Sequence, residues 1–304
     1  MDDRLLKQGI DPTLIERVRS YVEAHPLSSE EGKRVSKPQF TYYGKKTWEQ
    51  ALTALLAGEN ILLAGPKATG KNVLAENLSW IFHRPRWTVS FHVNSDSNSL
   101  IGSDTFRDGR VQFRPGPVYE AALHGGYCIL DEINMARNDA VAVLHASLDF
   151  RRFIDLPGYD RIDLKEETRF IGTMNYGYMG TRELNEALIS RFMVIQVPAI
   201  TEEELVYLLT EQYPSLSEEG MKQFTLLFTD LQKKSDNAEI STKAIDLRGL
   251  LASIGMIYHG LKPLDALEMG IVNKSFDSYE QELIRDVIRL RIPEDWTGAK
   301  LFHE

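Results

Sequence analysis

The amino-acid sequence predicts a parallel α/β domain followed by a smaller helical domain. Up to about residue 200, short apolar segments of strand length alternate with segments of helical periodicity. This alternation is typical of a parallel sheet that is covered on both faces. Beyond that point the strand-like segments stop and only helical patterns follow. The chain has 304 residues, of which 43% are hydrophobic and 26% charged, and this length and balance suit two globular domains.

The chain is expected to divide into three parts. Residues 1–44 form an N-terminal helical segment, residues 45–199 form the α/β domain, and residues 200–304 form the helical domain. The second boundary is indicated by Thr201 and Glu204, which have the spacing of a capping box at the start of a new helix.

Five segments of the α/β domain are predicted as strands, because each is short, apolar and rich in β-branched or aromatic residues. They are 61–65, 87–93, 127–131, 169–175 and 192–197. The helical segments between them are 71–82, 116–123, 138–150 and 181–192. The helical domain is expected to contain helices at 201–213, 218–234, 241–260 and 278–290.

Charge and cysteine content limit the expected partners and compartment. The formal net charge is −9, whereas a non-specific nucleic-acid surface usually needs an excess of basic residues, so nucleic acid is not the expected partner. Cys128 is the only cysteine, so no disulfide can form within the chain, which suits a reducing compartment. The sequence has no signal-peptide core and no apolar run that could cross a bilayer. A cytoplasmic protein without membrane contact is therefore expected.

The segment GPKATGKN lies between the first predicted strand and a helix, which is the context of a phosphate-binding loop. Its glycines let backbone N–H groups turn towards phosphate oxygens, and the helix N-terminus adds positive charge. Lys71 would reach the β- and γ-phosphates; the alternative is an ordinary glycine turn. The candidate ATP-binding residues are Gly65, Pro66, Lys67, Ala68, Thr69, Gly70, Lys71 and Asn72.

Asn72 departs from the phosphate-loop pattern, which has Ser or Thr at this position so that a hydroxyl can hold Mg²⁺. The Asn side chain still offers an amide oxygen to the metal, but it is bulkier and its NH₂ group must point away. Mg²⁺ tolerates little distortion of its octahedral coordination. We therefore expect weakened Mg²⁺ coordination together with retained ATP binding.

Three further polar residues, Glu132, Asn175 and Arg191, complete the candidate catalytic set with Lys71, and Asp131 joins Asn72 as a candidate metal ligand. Asp131 and Glu132 end a strand, at the edge where open parallel sheets bind ligands. Asp131 would hold Mg²⁺ through water, and Glu132 would polarise the attacking water. Asn175 ends another strand and would orient that water, or it simply stops the strand at a turn. Arg191 precedes the last strand and either reaches a phosphate on a neighbouring subunit, as an arginine finger does, or meets its own helix dipole.

The phosphate loop, ILDE, GTMN, SRF and the helical second domain together resemble an AAA+ ATPase. Within that superfamily, FRPGPVYEAALHGGYCILDEIN (113–134) resembles the MoxR type, and in particular its CbbQ/NirQ/NorQ/GvpN family. The resemblance covers about residues 45–260 and implies a P-loop NTPase core with a C-terminal helical lid domain. The implied motifs are Walker A at 65–72, Walker B at Asp131 and Glu132, sensor 1 at Asn175 and the arginine finger at Arg191.

The resemblance also implies two inserts and a sensor 2 residue. Residues 104–115 fall at an insert in the second helix that faces the central pore of a ring. Residues 151–170 fall at a hairpin before sensor 1, where PGYD is a strong turn signal. The family pattern points to Lys243 as sensor 2, whereas the planar guanidinium of Arg248 is better suited to bind a phosphate through two hydrogen bonds. Both remain candidates, as does a solvated basic helix end.

The function implied by the resemblance is a Mg²⁺-dependent ATPase that binds ATP between the subunits of a homo-oligomeric ring, expected to be hexameric. Such a ring would act as a chaperone-like activator or assembly factor for a client protein, together with a partner that has a von Willebrand factor A domain. An alternative is an ATP-sensing assembly factor in which Asn72 keeps hydrolysis negligible. A nucleic-acid motor is a third hypothesis, which the acidic balance disfavours.

Overall fold

The structure is a computed structural model that describes residues 2–107, 109–155, 158–176 and 184–303. The chain divides into two compact units, the first ending at Pro198 and the second beginning at Ala199. None of the helices in the described ranges has both the length and the apolar character needed to cross a membrane.

A five-stranded parallel sheet forms the centre of the first unit. The strands of this unit are β1 (Ile61–Gly65), β2 (Arg86–Ser90), β3 (Gly102–Arg107), β4 (Arg110–Pro115), β5 (Tyr127–Asp131), β6 (Phe153–Ile154), β7 (Ile162–Asp163), β8 (Arg169–Asn175) and β9 (Met193–Gln196). Five of them pair in parallel in the order β2-β5-β8-β1-β9, and the others form the antiparallel hairpins β3–β4 and β6–β7. The predicted fold class, a parallel α/β sheet with a helical C-terminal part, is confirmed.

Ten α-helices of the first unit connect and cover these strands within the described residues. They are α1 (Asp2–Lys7), α2 (Pro12–Ala24), α3 (Ser29–Gly32), α4 (Lys45–Leu56), α5 (Lys71–Ile81), α6 (Ser97–Ile101), α7 (Pro117–His124), α8 (Asn138–Val141), α9 (His145–Leu148) and α10 (Glu186–Ile189). The hairpin β3–β4 lies between α6 and α7, at the predicted insert. The predicted hairpin at 151–170 contains β6 and β7, and the first residue of its PGYD turn lies outside the described residues.

Two hydrophobic cores cover the two faces of the sheet, because successive side chains of a strand point to opposite faces. Ile61 and Leu63 of β1 belong to one core, which also takes in side chains of α1, α2, α4 and α5. The N-terminal helices therefore pack within the first unit. Leu62 and Cys128 belong to the other core, together with side chains of α7 to α10. Burial there raises the pKa of the Cys128 thiol.

Two helical segments of the first unit are shorter than the sequence predicts. The pattern predicts one helix over 138–150, but a 3₁₀ turn at Ala142–Leu144 separates α8 from α9. This turn includes Val143, a β-branched residue of low helix propensity. In the predicted helix 181–192, residues 181–183 lie outside the described residues. α10 begins only after Asn185, whose side chain accepts a hydrogen bond from the backbone N–H of Ala187 at 2.8 Å and so fixes the helix start.

The second unit consists of helices. They are α11 (Glu202–Gln212), α12 (Glu218–Asp236), α13 (Leu247–Tyr258), α14 (Pro263–Gly270), α15 (Ser278–Arg291) and α16 (Gly298–Leu301). The capping box at the start of α11 is present, since the Thr201 N–H donates to Glu204 Oε2 at 2.9 Å and the Glu204 N–H donates to the Thr201 hydroxyl at 3.3 Å. These two bonds satisfy N–H groups that the first helical turn leaves without a partner.

The start of α13 corrects the predicted helix 241–260. The structure begins this helix at Leu247, because the polar residues before it favour a turn. The Ser241 hydroxyl accepts a hydrogen bond from the Lys243 N–H at 3.4 Å, a local side-chain contact that competes with helix formation. Lys243 therefore precedes the helix, and Arg248 lies in its first turn.

Candidate functional site

The phosphate loop and the polar ends of two neighbouring strands meet at the carboxyl edge of the sheet. Gly65 at the end of β1 pairs in register with Asn175 at the end of β8. β8 also pairs with β5, which ends at Asp131. Because these three strands are parallel and adjacent, their last residues lie side by side. Ligands of open parallel sheets bind at this edge.

The phosphate loop, residues 65–72, connects β1 to α5 through a tightly curved backbone. The φ angle is +61° at Ala68 and +80° at Gly70, and such left-handed residues help to turn successive N–H groups towards one side. A Cβ atom on Gly65 would lie 2.3 Å from the Val197 carbonyl oxygen, so this position requires glycine. Among the described residues no side chain caps α5. Its first N–H groups are therefore available to a phosphate.

The ammonium group of Lys71 lies inside the phosphate loop. It donates to the carbonyl oxygens of Gly65 at 3.0 Å and Pro66 at 2.5 Å, and to the Thr69 hydroxyl at 3.2 Å. Burial lowers the pKa of Lys71 to about 8, although the nearby carboxylates of the site act in the opposite direction. The charge of Lys71 is therefore costly unless an anion joins it in the loop.

ATP binding is expected to weaken as the pH rises above about 8, because Lys71 then has to take up a proton before it can pair with the phosphates. Phosphate oxygens raise the pKa of this lysine. The affinity should therefore be highest below its pKa in the free protein and fall by up to about tenfold per pH unit above it. Calorimetric titration with a non-hydrolysable ATP analogue, in two buffers of different ionisation enthalpy, measures both the affinity and the proton uptake.

The matched variant for this pH dependence is Lys71→Arg, whose guanidinium stays charged throughout the range. It should give a flat affinity profile and no proton uptake. A wild-type affinity that stays constant between about pH 7 and pH 10 would contradict the prediction.

Two side chains of β8 hold the carboxylates at the end of β5. The Thr173 hydroxyl donates to Asp131 Oδ1 at 2.7 Å, and the Asn175 amide nitrogen donates to Glu132 Oε1 at 3.0 Å. The backbone N–H of Glu132 also donates to the Thr173 hydroxyl, at 3.1 Å. β8 therefore fixes the position of both carboxylates, and each carboxylate keeps a second oxygen for other partners.

The backbone of Glu132 explains how two adjacent carboxylates reach the same strand. Its φ angle is +53°, a conformation that is uncommon outside glycine and that tends to occur at functional sites. Adjacent residues of a regular strand point to opposite faces. The turn at Glu132 instead brings its carboxylate to Asn175. Asn175 lies on the same face of β8 as Thr173, which binds Asp131.

The sequence-based prediction misses two residues of this site, Thr173 and Asn134. Thr173 lies two residues before Asn175, and alternate strand residues share a face, so its position was a usable signal. The Asn134 amide nitrogen donates to the backbone oxygen of Asn175 at 2.8 Å. Its own amide oxygen is buried and has no hydrogen-bond partner within the described residues. No spacing rule predicts the Asn134 contact.

The polar groups at the carboxyl edge fit ATP with Mg²⁺. Mg²⁺ prefers hard oxygen ligands in an octahedral arrangement. Asp131 offers a carboxylate at this edge, and Asn72 lies in the first turn of α5 with an exposed side chain, so its amide oxygen is accessible. Lys71 and the N–H groups of the loop are suited to phosphate oxygens. The structure therefore brings together candidate ligands for both the nucleotide and the metal.

Arg191 lies at the opposite, amino edge of the sheet. Met193, two residues later, pairs with the first residue of β1, and the five residues of β1 rise about 13 Å from there to the phosphate loop. Arg191 donates to the backbone oxygens of Ala187 and His145, the latter at 3.3 Å, and to Asp149 Oδ2 at 3.4 Å. Its contact with Ala187 in α10 matches the alternative in which Arg191 meets its own helix end. The structure does not bring Arg191 to the carboxyl edge of its own sheet.

The two sensor 2 candidates lie in the second unit. The side chains of Lys243 and Arg248 are both exposed. Arg248 follows the first residue of α13, and Lys243 lies in the turn that precedes this helix. The choice between them remains a prediction.

Comparisons with known proteins identify an AAA domain and several uncharacterized relatives. Residues 60–192 match the family model described as AAA domain (dynein-related subfamily), a range that includes the phosphate loop, both carboxylates, Asn175 and Arg191. The chain is 32% identical over 278 residues to the uncharacterized protein YojN of Bacillus subtilis, across 90% of each chain. It is 35% identical over 240 residues to the uncharacterized protein SAB1265c of Staphylococcus aureus, covering 76% of this chain and 90% of that protein. It is 32% identical over 262 residues to the uncharacterized protein SH1500 of Staphylococcus haemolyticus, covering 84% of this chain and 98% of that protein.

Proposed function

We propose that this chain, which matches the AAA domain model of the dynein-related subfamily over residues 60–192 and is similar to YojN over 90% of its length, is an ATPase that hydrolyses ATP with Mg²⁺ in a homo-oligomeric ring whose sites are shared between subunits. The observation that carries this proposal is the separation of Arg191 from the phosphate loop. The two lie at opposite edges of the same sheet, so one subunit does not bring both to one ATP. Head-to-tail contacts in a closed ring join two different surfaces of the chain, and this proposal requires them to be the amino edge of one subunit and the carboxyl edge of the next. The resemblance to MoxR-type proteins favours six subunits.

ATP binding is assigned to the carboxyl edge of each subunit. The N–H groups of residues 65–72 and the ammonium of Lys71 bind the phosphates. Asp131 and Asn72 would hold Mg²⁺, which when bound neutralises part of the phosphate charge. Thr173 keeps the carboxylate of Asp131 in place through its hydrogen bond of 2.7 Å.

Hydrolysis is assigned to Glu132, Asn175 and the neighbour's arginine. A carboxylate oxygen of Glu132 accepts the proton of the attacking water. Asn175 holds the other oxygen at 3.0 Å and so orients the base. Arg191 of the neighbouring subunit stabilises the negative charge that develops on the γ-phosphate in the transition state.

The work done by hydrolysis is proposed to be chaperone-like, in the manner of the MoxR type and its CbbQ/NirQ/NorQ/GvpN family. The support is the motif set RPGP, LDEIN and SRF, together with the hairpin β3–β4, on which Phe106 and Val111 are 77% and 65% exposed. A client protein and a partner with a von Willebrand factor A domain are part of this proposal. The net charge of −9 favours a protein client over nucleic acid.

The test of the proposed function is phosphate release from ATP and Mg²⁺, measured per subunit across a wide range of protein concentrations. A shared site requires turnover per subunit to rise with concentration and then to reach a plateau, in parallel with assembly measured by sedimentation velocity. Turnover that does not depend on concentration, from a protein that stays monomeric, would overturn the shared-site mechanism.

A second candidate function is an ATP-sensing assembly factor without significant hydrolysis, which the residue at position 72 favours. Every other position of the phosphate loop fits the pattern, but Asn72 replaces the hydroxyl that would hold Mg²⁺. In this case ATP would still promote assembly, and phosphate release would stay negligible at all protein concentrations.

Asn72→Thr is expected to lower the Mg²⁺ concentration needed for half-maximal turnover, or to raise the turnover itself, because a hydroxyl restores the usual ligand. The measurement is phosphate release across a Mg²⁺ titration at saturating ATP. Asn72→Ala is the control, since it removes the amide oxygen without adding a hydroxyl, and it should need more Mg²⁺ than the wild type. Identical Mg²⁺ profiles for all three proteins would show that position 72 does not act on the metal.

A further inference from the structure

An exposed aromatic side chain lies beside the candidate arginine finger. Phe150 follows α9 and is 92% exposed, so it contributes almost nothing to the hydrophobic core of its own subunit. Exposed aromatic residues of this kind often serve as anchors in protein interfaces. Its chain neighbours on both sides are charged residues, Asp149 and Arg151.

These charged neighbours form a hydrogen-bonded turn around Phe150. The Arg151 guanidinium makes a bidentate contact with the Asp149 carboxylate, in which Nε lies 3.0 Å from Oδ1 and Nη2 lies 2.8 Å from Oδ2. The backbone N–H of Arg151 also donates to Oδ1, at 3.0 Å. Bidentate contacts of this type fix geometry as well as charge. These bonds fix the backbone on both sides of Phe150, whose ring points away from the core of its own subunit.

The same turn also contacts Arg191. Asp149 Oδ2 lies 3.4 Å from Arg191 Nη2, so one carboxylate connects the turn that carries Phe150 to the candidate finger. The side chain of Arg191 is only 22% exposed, and its Nε and Nη1 donate to the backbone oxygens of His145 and Ala187. Asp149 is the charged partner among these three contacts, so loss of its carboxylate would remove the electrostatic part of the hold on the guanidinium.

The occupant that fits this surface is a second copy of the chain, an inference that rests on the proposed function. If Arg191 reaches a neighbour's phosphate, the adjoining Phe150 must be continuous with that subunit interface. The neighbour's carboxyl edge carries the acidic pair Asp131 and Glu132 and binds ATP, so its charge is complementary to that of the two arginines.

We propose that Phe150 is the anchor by which one copy of this chain docks on the next, and that Asp149 holds Arg191 in the position from which it reaches the neighbour's ATP. Phe150 contributes to assembly because docking removes its ring from water. Asp149 is a positioning residue that acts through Arg191. Docking and completion of the ATP site are coupled through this one turn.

The first test compares Phe150→Ala with Phe276→Ala in the full-length protein. Phe276 is 91% exposed and lies in the second unit, so it is a matched control for loss of an exposed ring. Turnover per subunit and sedimentation are measured across protein concentration. Phe150→Ala should raise the protein concentration that gives half-maximal turnover per subunit by about tenfold or more. The maximal turnover should stay similar to that of the wild type. Phe276→Ala should match the wild type.

The second test uses Asp149→Asn at a protein concentration that saturates assembly. The amide oxygen still accepts from Arg151, so the turn should persist, but the charge that holds Arg191 is lost. We expect kcat to fall by roughly ten- to a hundredfold while KM for ATP stays within about twofold. Asp149→Ala should lower kcat further, and the melting temperature of each variant shows whether the fold is kept.

The outcomes separate this proposal from the proposed function. If the wild type shows no concentration-dependent turnover, or Arg191→Ala matches it, the shared-site function itself fails. If that function holds but Phe150→Ala behaves like Phe276→Ala, the docking role is wrong. An unchanged or higher kcat in Asp149→Asn would exclude the positioning role.

Discussion

Glu132→Gln is expected to lower the rate of ATP hydrolysis by roughly 10²- to 10⁴-fold while leaving the affinity for ATP nearly unchanged. Glutamine has the same size, and its side-chain oxygen can still accept the hydrogen bond that Asn175 gives to Glu132 at 3.0 Å. Its amide cannot accept the proton of the attacking water. The substitution therefore removes the base and keeps the shape of the site.

The measurement for Glu132→Gln is single-turnover phosphate release at a protein concentration that saturates assembly, beside equilibrium binding of a fluorescent ATP analogue. Glu59→Gln is the matched control, because it neutralises an exposed carboxylate of the same unit just before β1. It should leave both quantities unchanged. Retention of more than about a tenth of the wild-type rate by Glu132→Gln would mean that another group takes the proton.

The parts of the site that depend on local sequence pattern were predictable. The bounds of β1, β5 and β8 agree with the predicted segments 61–65, 127–131 and 169–175. These are the inner strands of the sheet, and each is a short, mostly apolar segment of strand length. Because parallel neighbours end at one edge, the meeting of the phosphate loop with Asp131 and Asn175 follows from the order of strands. The family match confirms the predicted AAA+ core.

The contacts that hold the functional groups in place depend on tertiary structure and leave little local signal. Asp149 and Arg191 are 42 residues apart in sequence, and Asn134 and Asn175 are 41 apart. No periodicity connects such pairs.

Arg191→Ala is expected to lower turnover by about 10³-fold or more at saturating protein, with ATP binding retained. Such a loss corresponds to about 4 kcal/mol of transition-state stabilisation. Arg191→Lys should recover only a small part of the rate, because lysine keeps the charge but lacks the planar fork. Since Arg191 also contacts Ala187, His145 and Asp149, the melting temperature and the sedimentation profile must show that each variant still folds and assembles.

Mixing two inactive variants distinguishes a shared site from a structural arginine. Arg191→Ala subunits keep the base Glu132, and Glu132→Gln subunits keep the finger Arg191. An interface is therefore complete when an Arg191→Ala subunit supplies the ATP site and a Glu132→Gln subunit supplies the arginine. In an equal and random mixture about a quarter of the interfaces have this order, and turnover should recover to about a quarter of the wild-type value. An arginine that serves only its own subunit gives no recovery, because every subunit in the mixture then lacks one essential group. Recovery of turnover would therefore mean that Arg191 acts across the interface. If assembled mixtures show no recovery, Arg191 has only a structural role at the end of its own helix.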